Sequence, residues 1–165
     1  MSDDTQTPDA VATLLRQYDD TWAHPWESLE VALKDVTEDE AAWQAPIYAT
    51  EPSEEGWPAK GSVRWHVAHL AACKRDYACL VRDRGKAVDR SEAAFTPGES
   101  YAADLAQLIE AHQWLRREVA AMAPAELALK LNEKVPADEF IAATIRHDAW
   151  HAGQIIVARR LYRTH

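Results

Sequence analysis

At 165 residues the chain has room for one domain, and a chain of that size buries roughly 70% of its unfolded surface on folding. Its 47% hydrophobic and 27% charged residues exclude disorder along the whole length, and few Gly with abundant Ala, Leu, Glu and Arg argue for helices. The balance of 18 basic against 27 acidic residues leaves a net charge of −9, which speaks against nucleic acid or an anionic membrane as partner.

The sequence contains no 18-residue apolar run, and the N-terminal MSDDTQTPDA lacks the basic and apolar regions of a signal peptide. The expectation is a cytoplasmic protein with one domain over 1–165 and a short disordered N-terminus of about seven residues. Its two cysteines, Cys73 and Cys79, fall in one predicted helix, roughly 9 Å apart along the axis and about 120° around it, too far for a disulfide. Such thiols fit a reducing compartment.

In chain order, Thr7-Pro8-Asp9 is a helix-start signal. Val11, Leu14, Leu15, Tyr18 and Trp22 follow at helical spacing, and the stripe runs on through Trp26, Leu29 and Leu33. The reading is one bent helix over 8–36, kinked near His24 by Pro25. Thr37-Glu38-Asp39-Glu40 resembles a capping box and opens a short helical turn ending near Trp43. Residues 44–61, with three prolines and two glycines, read as loop.

Ser62 caps a second helix over 63–83, and a polar loop leads to a third over 99–122. A Pro124-led segment and Pro136 precede the last, over 137–162. Long helices with one apolar face each bury those faces most economically as a four-helix bundle, here with long connecting loops.

The last helix carries His147 and His151 one turn apart. At about 100° per residue from Phe140, His147 falls near −20° and His151 near +20°, the centre of the expected inward face, with Arg146, Arg159 and Arg160 directed elsewhere. Imidazoles at i and i+4 can converge on one ion. Helix two offers His66 and His69. Its apolar arc centres at about −30° from Val63, which puts His66 near −60° and His69 near −120°, at the edge. Spacing leans to His66 and leaves His69 open. Cys73, one turn after His69, is a further possible ligand; Asp148 could orient a ligand ring or simply pair with a cation. His112 reads as a core histidine, Trp22, Trp26 and Trp114 as core or interface, and Trp57 as a loop anchor.

Ser62-Val63-Arg64-Trp65-His66-Val67-Ala68-His69-Leu70-Ala71, followed by Ile145-Arg146-His147-Asp148-Ala149-Trp150-His151-Ala152-Gly153-Gln154-Ile155, resembles the DinB/YfiT-like superfamily. The resemblance implies a four-helix bundle in which one His of the second helix and an HxxxH pair of the fourth bind a divalent metal. Aligned on Ser-Val-Arg, it implies the ligand set His69, His147 and His151, with Zn, Ni or Fe as the metal. It further implies a transferase or isomerase that activates a low-molecular-weight thiol of the bacillithiol or mycothiol type against an electrophilic small molecule, in a homodimer.

Arg64, Arg75 or Arg146 could then hold substrate carboxylates. A zincin would need HExxH, where this chain has Asp148 in place of the Glu. A di-metal bundle would need paired carboxylate-x-x-His motifs, of which Asp148-x-x-His151 is the one instance. The rival reading is a metal-containing binding or stress-response protein without turnover.

Overall fold

Each of the first five α-helices begins where a side chain can take up a free backbone N–H. In the computed structural model, which describes residues 9–86, 90–131 and 134–165, they are α1 (Ala10–Ala23), α2 (Leu29–Leu33), α3 (Glu38–Ala42), α4 (Val63–Arg82) and α5 (Tyr101–Ala120). Asp9, Ser28, Thr37, Ser62 and Ser100 cap them, each accepting from a main-chain N–H two or three residues on. The sixth, α6 (Ala137–Tyr162), starts after Pro136 with no side-chain cap and carries Asp138 and Glu139 in its first turn, where acidic charge suits the helix dipole.

Short 3₁₀ turns occupy Pro46–Tyr48, Arg90–Ala93 and Pro124–Ala128. A two-residue antiparallel pair, β1 (Lys130–Leu131) and β2 (Val135–Pro136), joins Lys130 to Pro136 and Leu131 to Val135 in register. The protein is therefore mostly helical, with one minor hairpin.

Two local expectations are corrected. The stretch over 8–36 is not one bent helix. It stops at Ala23, the chain is extended at His24, and Ser28 opens α2 afresh. Proline disfavours the helical conformation in the residue before it, so Pro25 ends α1 where a kink was expected. The hairpin before α6 was not foreseen, because two-residue strands are too short to display an alternating pattern. Thr7, Pro8 and the N-terminal residues expected to be disordered lie outside the described residues.

Two glycines hold close approaches at the ends of α4. Gly61 (φ +76°) lies against the ring of Tyr48 just before the Ser62 cap, and Gly85 (φ +70°) lies against the carbonyl of Lys130. A Cβ at either would collide, and both conformations favour glycine.

Helix α4 packs against α5 and α6, and α1 packs against the same two; α2 lies on α1 and α6, and α3 on α4 and α5. The apolar core is in two parts. One gathers Leu29, Leu33, Val67, Leu70, Leu108 and Ile155; the other gathers Tyr18, Val81, Leu115, Val119, Leu131 and Ile141. Between them along the long helices runs a polar layer. Lys74 of α4 is paired with Asp148 of α6 at 2.5 Å and donates to the Tyr18 hydroxyl of α1 at 3.1 Å, and that hydroxyl donates to the carbonyl of His112 in α5 at 3.3 Å. All four long helices contribute a residue to it.

The rotation of α6 also differs from expectation. Its buried side comprises Ile141, Thr144, Asp148, His151, Ile155, Ala158 and Arg159, so it turns toward Asp148 and leaves His147 half-buried at the flank. Arg159, expected to point away, is buried. It donates to Glu40 of α3 at 2.9 Å and to the carbonyl of Ala32 in α2 at 2.7 Å, which pins both short helices to α6.

His112 is a core histidine, as its spacing indicated. Its ring stacks on Tyr18 (4.5 Å, 5°) and on Trp22 (3.9 Å, 26°), while its Nδ1 is buried without a partner among the described residues. Burial, with the nearby Lys74 and Arg116 cations, lowers its pKa to about 2. An unfolded histidine titrates near 6.5, so below that pH the unfolded chain takes up a proton that the folded chain refuses. Stability then falls with acidification by about 1.4 kcal/mol per pH unit for this one group. A His112→Phe variant is expected to lose stability between pH 6 and pH 4 less steeply than the wild type by that amount, as read from urea unfolding at a series of pH values. Parallel pH profiles would contradict the assignment.

Candidate metal centre

Helix α4 begins at the Ser62 cap, so its second turn carries His66 inward, 5% exposed, and His69 on the flank, half-buried. Across the α4–α6 contact stand half-buried His147 and fully buried His151 (1% exposed). His69, His147 and His151 each offer one ring nitrogen, and the three lie within 4.8 Å of one another. The arrangement could hold a metal ion. The flanking position of His69 and His147 follows from the two buried faces, which are centred on Lys74 and Asp148 rather than on the histidines. It leaves the cluster partly open to solvent.

The contacts within the cluster are close. His151 Nε2 lies 3.1 Å from His147 Nε2, and His66 Nδ1 lies 2.8 Å from His151 Nδ1. The ring centroids of His69 stand 4.9 Å from those of His151 and 5.4 Å from those of His147. Two nitrogens bound at about 2.0–2.1 Å to one tetrahedral ion stand about 3.3 Å apart, near the observed His147–His151 separation.

Burial comes first among the causes that lower the pKa of all four imidazoles, to about 4 for His66 and about 2 for His151, with neighbouring histidines adding to the effect for His66, His69 and His151. The rings are therefore neutral at pH 7, the form that carries a free lone pair. The donor set thus suits a divalent cation of the zinc, nickel or iron kind better than a hard, oxygen-seeking one.

Other singled-out residues have different places. Asp148 turns its carboxylate to Lys74, so the ion-pair reading holds and the ring-orienting one does not. Cys73 is half-buried with its Sγ 3.5 Å from His69 Nε2, yet it is not one of the converging group. Both cysteines are free. Arg64 is committed to Asp104 at 2.7 Å and the Gly98 carbonyl, and Arg75 to the Glu92 carbonyl at 2.8 Å, whereas Arg146 is exposed on α6. Trp57 meets Phe95 at 5.7 Å in the loops, and Trp26 is 80% exposed.

The sequence reading passed over two aromatic neighbours of the cluster. Trp65 stacks on His69 at 5.0 Å and 7°, and Trp150 stands edge-on to His151 at 4.8 Å. Trp65 is one turn before His69, and that spacing could have flagged it. Two cavities of about 500 Å³ lie away from the histidines: one between α1, α2 and α5 beside Trp22 and Glu30, the other between α2 and the far side of α6 beside Ser28 and Gly153.

These features define a mostly helical protein in which two packed helices bring ring nitrogens of three histidines within 4.8 Å of one another, a group that could hold a metal ion. Among the described residues no helix is long and apolar enough to cross a membrane. The chain belongs to the DinB superfamily, whose family model matches residues 21–155. Comparisons with curated proteins and with solved structures found no match.

Proposed function

We propose that His69, His147 and His151 hold one divalent cation, and that the protein uses it to activate a low-molecular-weight thiol, of the bacillithiol or mycothiol type, for attack on an electrophilic small molecule. The observation that carries this reading is the convergence of three neutral nitrogens, within 4.8 Å of one another and with no carboxylate among them, at a partly open position. A cation held there by three neutral ligands would keep its full charge and would lower the pKa of a thiol bound to it.

The remaining steps belong to the chain's own residues. His69 and His147, half-buried, leave a side for the thiol to approach, and Trp65 and Trp150 offer apolar surface beside it. Arg146, exposed one residue from His147, has among the described residues none of the partners that occupy Arg64 and Arg75 and is the candidate for a substrate carboxylate. The thiol loses its proton to solvent, and its sulfur bonds to the electrophilic carbon as the bond from that carbon to its leaving group breaks, the leaving group departing to solvent with the electron pair. A peptidase-like mechanism is disfavoured because Asp148, the one acidic residue between the two histidines, is paired with buried Lys74 and has no freedom to serve as a base.

The same proposal takes the four long helices as the bundle of the family, 1–165 as one domain, the cytoplasm as compartment and a homodimer as the assembly. The position of the two 500 Å³ cavities, both away from the histidines, favours a second reading: a metal-containing binding or stress-response protein without turnover.

Conjugation of a chromogenic electrophile with bacillithiol or mycothiol separates the readings. A free thiol with a pKa near 8.5 is only about 3% ionised at pH 7, so full ionisation alone allows at most about 30-fold, and orientation adds to it. The metal-loaded protein is expected to accelerate conjugation by at least about 10-fold, and His147→Ala to abolish the gain. No acceleration with either thiol, under zinc, nickel or iron loading, would leave the second reading in place.

A further inference from the structure

A fourth imidazole, His66, is buried against the cluster and is not one of the three converging nitrogens. Its Nδ1 meets Nδ1 of His151 at 2.8 Å, while Nε2 of His151 faces His147 Nε2 at 3.1 Å. A neutral imidazole has one N–H and one lone pair, so two Nδ1 atoms in hydrogen-bond contact must play opposite roles. Were His66 the donor, His151 would carry its own proton on Nε2, aimed into the space shared with His147. Were His66 the acceptor, the proton of His151 would sit on Nδ1 and its Nε2 lone pair would face that space.

We infer that His66 is a positioning residue: by accepting from Nδ1–H of His151, it locks that ring in the tautomer whose Nε2 can bind the cation. This rests on the three-histidine reading above. The inference accounts for why the histidine that spacing favoured on α4 points into the protein without joining the cluster. The ring of Trp65 stands edge-on to that of His66 at 5.2 Å. An outer partner of this kind fixes the orientation and raises the basicity of the ligand behind which it stands.

Zinc affinity of the full chain, measured by competition with a chromophoric chelator, tests the inference in wild type, His66→Leu and His66→Asn. Leu removes the acceptor, whereas Asn can place a carbonyl oxygen near the position of Nδ1. His66→Leu is expected to bind zinc about 10–100-fold more weakly at an unchanged one ion per chain, and His66→Asn to recover most of the loss. Two-bond ¹H–¹⁵N spectra of zinc-loaded wild type are expected to show His151 protonated on Nδ1 and His66 on Nε2, a signature that a merely structural role would not produce.

Those spectra need no variant, so they decide the matter even where a substitution fails to fold. Wild-type affinity in His66→Leu, or a proton on Nδ1 of His66 in the loaded protein, would overturn the inference while the three-histidine reading stands. Failure of the wild type to take up zinc, nickel or iron would overturn both.

Discussion

Replacing Lys74 by Met is expected to destabilise the protein by about 3–5 kcal/mol. The Lys74 ammonium and the Asp148 carboxylate are 1% and 2% exposed and 2.5 Å apart, deep between the two apolar clusters. The cation also lies 4.7 Å from the centroid of the Tyr18 ring and donates to its hydroxyl. Burial, with the Asp148 charge next in importance, raises the pKa of Tyr18 well above its usual value, so the phenol stays a neutral hydrogen-bond partner.

Removing the cation strands a carboxylate where water cannot reach it, and the cost is mainly that of the orphaned charge rather than the worth of the pair. The double change Lys74→Met with Asp148→Leu is therefore expected to recover most of the loss. Chemical denaturation of wild type, single and double variants measures this directly. A single variant within about 1 kcal/mol of the wild type, or a double variant worse than the single, would contradict the account.

Zinc at about 100 times its Kd is expected to stabilise the protein by about 2.7 kcal/mol, and by about 4.1 kcal/mol at about 1,000 times. For a chain of this size 2.7 kcal/mol corresponds to a rise in Tm of roughly 5–11 °C. The gain arises because the folded state alone brings His69 of α4 to His147 and His151 of α6. Separated in the unfolded chain, the α4 and α6 histidines have no common point to offer. His69→Ala, His147→Ala and His151→Ala are each expected to lose the zinc-dependent rise while folding in the absence of metal. Thermal unfolding with and without zinc, alongside metal content per chain, reads both effects. An equal rise in all three variants would place any bound ion elsewhere.

The extent of sequence legibility follows the range of the interactions involved. Thr37 and Ser62 cap the helices they were expected to cap, because a cap is an exchange between a side chain and a backbone N–H three residues away. The approach of His147 to His151 was readable for the same reason, since one turn of helix stacks their side chains.

The rotation of α6 was not readable. Arg159 looks like an outward position, and Asp148 like one beside the inward face rather than at its centre, until Glu40 and Lys74, distant in the chain, arrive to neutralise them. Periodicity counts polar residues as exposed and so displaced the inferred face toward Phe140 and His147. On α4 the spacing described orientation correctly, with His66 inward and His69 at the edge, but orientation alone did not decide which nitrogen joins the cluster.

Composition, caps and helical spacing, all set within a few residues of chain, determined a helical protein with histidines one turn apart on its last long helix. Spacing left His66 and His69 open and the family resemblance pointed to His69; packing is what brings His69 to His147 and His151 and puts the centre at the flank of the α4–α6 contact. The physical reason is that burying a charge is tolerable only beside its counter-charge. Lys74 and Asp148 therefore meet at the middle, which leaves His69 and His147 at the side while His66 and His151 stay buried.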